Sequence, residues 1–228
     1  MRSTFGQSSL VRQLAAWMPA EAETPGMDVA ERLSLWLNAF DAIGLQQAQQ
    51  AIRQIRTAAP ASGDAPPVSA EALSADLQRV RSALAGAIAQ DPRRLALSPE
   101  GSKPWQQRHL ELQRQMEQMI QPLREHVQQA LARVSPRLRQ LAALDAVLAQ
   151  ALAAREQAVL PTVTTLLERR FVQLRAQANG DGTSEGAATW LEDFAGEWRQ
   201  VLLAELDLRL QPVLGLIEAL GNELKNRA

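Results

Sequence analysis

The sequence predicts an all-α protein: an elongated bundle of long, partly coiled-coil-like helices preceded by a small N-terminal helical unit. Three observations point there. Ala, Leu, Gln, Arg and Glu dominate the 228 residues, aromatics are only 4% and Tyr is absent, so strong helix formers prevail over strand formers. Apolar residues recur at alternating steps of four and three over long stretches, the spacing of a helical seam. Pro, Gly and capping residues fall between most of those stretches, where helices start and stop.

The first helix is expected from Ser8 or Ser9 to Trp17, with Leu10, Leu14 and Trp17 on one face; Pro19 and Thr24-Pro25-Gly26 end it. Asp28 with Glu31 three residues later has the spacing of a reciprocal helix-start cap. Leu33, Trp36, Leu37 and Phe40 then form a buried stripe, and the helix pauses near Gly44 before continuing through Ile52 and Ile55. Thr57 to Ser69 is rich in Pro, Ala, Ser and Gly with little to bury, which is linker composition. The expected division is therefore an N-terminal unit over 1–56, a flexible linker over 57–69 and a long-helix bundle over 70–228.

Ser69 caps the next helix, whose seam is Leu73, Leu77, Val80, Leu84 and Ile88. Asp91-Pro92 ends it, and Ser98-Pro99-Glu100-Gly101 completes a loop. A longer helix starts at Ser102 or Lys103, with Pro104 tolerated in its first turn and a stripe of Trp105, Leu112, Met116, Met119, Leu123, Val127 and Val134. Ser135-Pro136 is a cap followed by a first-turn proline, so a new helix begins where the last stops; its stripe is Leu138, Leu141, Leu148, Leu152, Val159, Leu166 and Phe171. Asn179 to Ser184 is the clearest turn, and a final helical stretch follows from about Ala187 to Leu224. Pro122, Pro161 and Pro212 lie inside periodic runs and are expected to bend or break their helices.

Composition also excludes chemistry. Without Cys there is no disulfide, thiolate metal site or cysteine nucleophile. A net charge of −1 gives no global attraction to nucleic acid or acidic membranes. Lys103 and Lys225 are the sole lysines; the preference for Arg fits phosphate recognition, but coding bias in a GC-rich genome is the simpler explanation. Charges interrupt every apolar run, so neither a signal-type segment nor a membrane span is expected, and a cytoplasmic location follows.

No phosphate loop, Ser-His-Asp set or metal-ligand cluster is present, so the expectation is a protein without enzyme activity, cofactor or metal. His109 and His126 are too far apart for a helical metal site, and His109 falls within an apolar arc as a core residue. Asp145 lies near the centre of an apolar arc, which calls for an Arg or amide partner from a neighbouring helix. In Leu202 to Leu210, Glu205 and Arg209 form an i,i+4 pair on a helix with leucines around most of its circumference; that helix is central in the bundle or covered by a partner. Asp145, Glu205 and Arg209 are thus the candidate ion-pair or partner-face residues. Arginines outnumber acids from Arg108 to Arg175, whereas Asp181 to Asp207 is acidic, a pattern that complementary helix faces would produce.

Five segments carry a resemblance: AERLSLWLNAFDAIGL (30–45), QPLREHVQQAL (121–131), SPRLRQLAALDAVL (135–148), AREQAVLPTVTTLLERRF (154–171) and LLAELDLRLQPVLGLIEAL (202–220). In this order they resemble a proteobacterial helical family of unknown molecular function, whose members resemble the accessory component of type III Zorya anti-phage systems. The resemblance implies a cytosolic, non-catalytic defence component, recruited to the inner membrane by a stator-like motor and acting beside a second co-encoded accessory protein. A second copy of the chain is a further expected partner. The competing readings are a general helical adaptor or assembly factor of an envelope machine, and an Arg-dependent nucleic-acid-binding protein. The latter lacks the interleaved aromatics of single-strand stacking.

Overall fold

A computed structural model describes residues 8–17, 46–47, 49–50, 52–53, 69–90, 101–180 and 184–227, without the side chains of 15, 154–161, 179–180 and 184–188. Every element among these is helical: α1 (Ser9–Ala16), α2 (Ala70–Ala89), α3 (Lys103–Val134), α4 (Pro136–Gly180) and α5 (Ser184–Lys225). The protein is all-α, with no strand among the described residues. The cap at Asp28, the Leu33 to Phe40 stripe, the 57–68 part of the linker and the Asp91–Pro92 stop lie outside the described residues, as do positions 181–183 of the final turn.

The helix starts follow from local chemistry. At α2 the Ser69 Oγ accepts the Ala72 N–H at 3.2 Å and donates to Glu71 Oε2 at 2.7 Å. One side chain thus satisfies an open amide and orients an acid in the first turn, where the helix dipole favours negative charge. Gly101 has φ +71°, a left-handed conformation that a residue with Cβ rarely adopts, and it leads the chain into α3. Ser135 alone separates α3 from α4; its Oγ accepts the Leu138 N–H at 3.1 Å and its carbonyl accepts the Arg139 N–H at 2.9 Å. The open carbonyls at the end of α3 are met by arginines: Arg139 Nε donates to Ala132 O at 2.9 Å and Arg227 Nη1 to Val134 O at 3.1 Å.

None of the three interior prolines ends its helix. α3 runs through Pro122, α4 through position 161 and α5 through Pro212. An interior proline costs about 3 kcal/mol, whereas each large apolar side chain buried beside it returns about 1.5–3 kcal/mol. Ile120, Leu123 and Val127 are buried around Pro122, and Leu210, Val213 and Leu216 around Pro212, so tertiary burial outweighs the local defect. Pro122 itself is exposed, which keeps its ring out of the core.

By contacts the chain forms two compact units, neither continuous in sequence: Met1–Pro25, Ser82–Glu117 and Ala158–Leu208 make the first, and Gly26–Arg81, Gln118–Gln157 and Arg209–Ala228 the second. These bounds do not follow the linker at 57–69, because each of α2 to α5 contributes residues to both units.

The first unit is built round aromatics. Trp105 meets Phe194 and Trp198 with ring centroids 5.0 and 5.3 Å apart, and Phe171 meets Phe194 and Trp190 at 5.1 and 5.2 Å. All four contacts are edge-to-face, the geometry that sets a positive ring edge against a negative ring face. Leu84, Ile88, Leu112, Met116, Val163, Leu167 and Leu202 are buried in the same unit. The second unit is aliphatic, with Leu73, Leu77, Val127, Leu131, Leu138, Ala142, Val213, Ile217 and Leu220 buried.

The seams read for α2 and α3 hold, apart from Val80, Met119 and Val134, which are half-buried. In α4 the buried face is Leu138 and Ala142, then Val163, Leu167 and Phe171; Leu148 is 38% exposed, and Leu141, Leu152 and Leu166 are only half-buried. Alanines and leucines surround α4, so several faces have similar apolar content and packing, not periodicity, selects one.

Candidate functional site

In the second unit, the α3–α4 corner brings Asp145 against the helix before it. Arg124 donates from Nε to Asp145 Oδ2 at 2.8 Å and from Nη2 to Oδ1 at 2.6 Å, and Gln128 Nε2 adds a third bond at 2.7 Å. A two-pronged guanidinium–carboxylate contact is stronger and more directional than a single bond. Both an Arg and an amide serve this carboxylate, and Asp145 is half-buried, not fully enclosed. Arg124 and Asp145 stand on opposite sides of Ser135, 21 residues apart, so the pair fixes how α4 folds back along α3.

In the first unit, Glu205 on α5 is 2% exposed and faces α3. Gln113 Nε2 lies 3.0 and 3.1 Å from its two carboxylate oxygens, and His109 Nε2 lies 3.7 Å from Oε2. His109 and Gln113 are 0% and 5% exposed and one helical turn apart, so one stripe of α3 supplies both. Sequence reading placed His109 in the core but missed that it and Gln113 meet Glu205. The seam 105–109–112–116 carries the signal for His109; nothing in it says which helix lies opposite. Arg209, one turn beyond Glu205, is half-buried.

An imidazole, a carboxylate and an amide together have the makings of proton-transfer chemistry, yet here they are enclosed by core side chains and closed to solvent. Their arrangement instead satisfies a buried carboxylate and fixes the register of α3 against α5. His126 is exposed. Among the described residues, no three His, Cys, Asp or Glu side chains are grouped to hold a metal ion. No helix among them is long and apolar enough to cross a membrane.

A second tie in the first unit escaped sequence reading. Arg170 of α4 grips Glu197 of α5 through Nε–Oε2 at 2.8 Å and Nη2–Oε1 at 2.6 Å. The hydrogen bond to Glu197 pushes the Arg170 guanidinium above its usual range, against a smaller opposing effect of burial. Arg170 belongs to the arginine-rich stretch and Glu197 to the acidic one, so at this point the two charge blocks face each other.

The sequence pattern of a family described as "Protein of unknown function (DUF3348)" matches residues 1–222. The chain belongs to this family. No curated protein and no solved structure matches it.

Proposed function

We propose that this DUF3348 protein is a non-catalytic component of a larger assembly, working through helical contact surfaces. The observation that carries this is the closure of Glu205, His109 and Gln113, at 2%, 0% and 5% exposure: these reactive side chains serve packing. Apolar side chains at the surface give contacts something to grip. Val172 is 58% exposed, and Leu203 and Leu208 of α5 are 40% exposed, within the leucine-rich run.

The assembly we propose is a Zorya-like anti-phage system, in which this cytosolic chain serves a stator-like inner-membrane motor. The segment resemblance supports that setting. Phage plating on cells carrying the gene with its neighbours, compared with the same cells lacking this gene alone, tests it. Equal plating on both strains refutes the defence role. Co-purification of the tagged chain with the motor subunits tests the contact; recovery with an unrelated envelope complex would instead make it a general adaptor.

A further inference from the structure

The second unit contains a cleft of about 590 Å³ lined by Gln49, Ile52 and Arg53, the start of α4 and the end of α5. Its size is that of ordinary ligand sites. Ile52, Leu138, Leu141 and Leu144 give it apolar walls. Gln140 Nε2 donates to the Ile52 carbonyl at 3.1 Å, which fastens Ile52 to α4 and holds one wall in place.

The charge on the rim is one-sided. Arg53 and Arg137 line the cleft, both are exposed, and neither has a carboxylate within ion-pair distance among the described residues. Glu223 is the sole acidic group among the described lining residues, and it is already engaged by Arg227 at 3.2 Å. Two guanidinium groups, without an acidic partner among the described residues, thus lie beside a leucine-lined recess. Gln49, Asn222 and Asn226 add carboxamides, each both donor and acceptor, as needed to pair with peptide N–H and C=O groups.

We propose that this cleft binds an acidic peptide segment of a partner protein, with an apolar side chain in the recess and a carboxylate on Arg53 or Arg137. This rests on the reading that the protein works through protein contacts, and it names the chemistry of one such contact. Arginine favours carboxylates through its planar two-pronged donors, and apolar burial supplies affinity that charge alone in water does not.

The test is selection of random peptides displayed on phage against the full chain, with the Arg53→Glu/Arg137→Glu double variant as counter-selection. Both substitutions are on exposed positions, and circular dichroism of the variant checks that it folds. The expected result is enrichment of peptides combining acidic and apolar residues. Affinity of a synthesised winner should fall roughly tenfold or more in at least one of Arg53→Glu and Arg137→Glu, as loss of a charge-assisted hydrogen bond implies, and weaken with added salt. Enrichment of basic or neutral peptides, equal binding to the folded double variant, or no enrichment overturns the proposal. So does a single-stranded DNA oligonucleotide that binds the cleft, loses affinity in the same variant and has no peptide rival. Failure here with a normal plating phenotype removes the cleft and leaves the assembly; peptide selection without a plating phenotype does the reverse.

Discussion

Glu205 shows how a charge is kept inside this protein. Its carboxylate accepts from Gln113 and faces His109, and truncation to Ala would leave the buried Gln113 amide without that acceptor. An unsatisfied buried polar group costs ~1–3 kcal/mol, so Glu205→Ala should lower the melting temperature by several degrees in a thermal scan. At the other polar tie, Asp145→Ala strands Arg124, which is only partly enclosed and can turn to water. The expected loss is ~1–2 kcal/mol, measured by urea unfolding, below the ~3–5 kcal/mol of a fully buried pair. Glu71 offers a pH readout. The Ser69 hydroxyl, then the residue's own backbone amide, holds its carboxyl below the usual range. Because the folded value is lowered, the stabilisation is present above the ordinary glutamate range and is lost as pH falls through the lowered value. In an NMR titration, Ser69→Ala should move the Glu71 midpoint up toward that of a free glutamate. These residue-level partners were only half legible. Spacing showed that Asp145 and Glu205 lie on apolar faces, but it could not show which helix would face them, since Gln113 is 92 residues from Glu205.

At the scale of the helix, sequence was most informative where local chemistry decides the outcome. Ser69 and Ser135 cap as their positions imply, and the regular four–three spacing in α2 and α3 marks most of their buried faces. It was least informative where packing decides. The prolines expected to bend or break their helices do not end them, and α4, apolar on several sides, buries Val163 and Leu167 while leaving Leu148 outside. The same contrast gives two predictions of opposite sign. Ser135→Ala removes the cap of α4 and should cost ~0.5–2 kcal/mol in urea unfolding. Pro122→Ala restores a helical donor at an exposed site and should stabilise by about 2 kcal/mol, the helix gain less the unfolded chain's added freedom. A destabilised Pro122→Ala would mean that the proline holds a shape the packing requires.

At the scale of the whole molecule, an all-α fold was readable from composition and periodicity, but the division of the chain was not. Linker composition marks where chain has little to bury; it does not reveal that α2 to α5 each supply residues to two units. Five of the nine aromatic side chains join one cluster in the first unit, although they come from three helices and only Trp105 and Phe171 stood out as stripe residues. In the same unit His109, Gln113 and Glu205 are shut in, and our proposal is that the protein works through its surfaces. The most direct test of that claim is Glu205→Gln, returned to cells lacking the gene and read by rescue of the deletion phenotype, with the melting temperature measured in parallel. The substitution keeps the shape and one acceptor oxygen for Gln113 while removing the charge. Full rescue is predicted from any variant that folds; a variant that melts like the native protein yet fails to rescue would show that the Glu205 carboxylate acts chemically and would contradict the account.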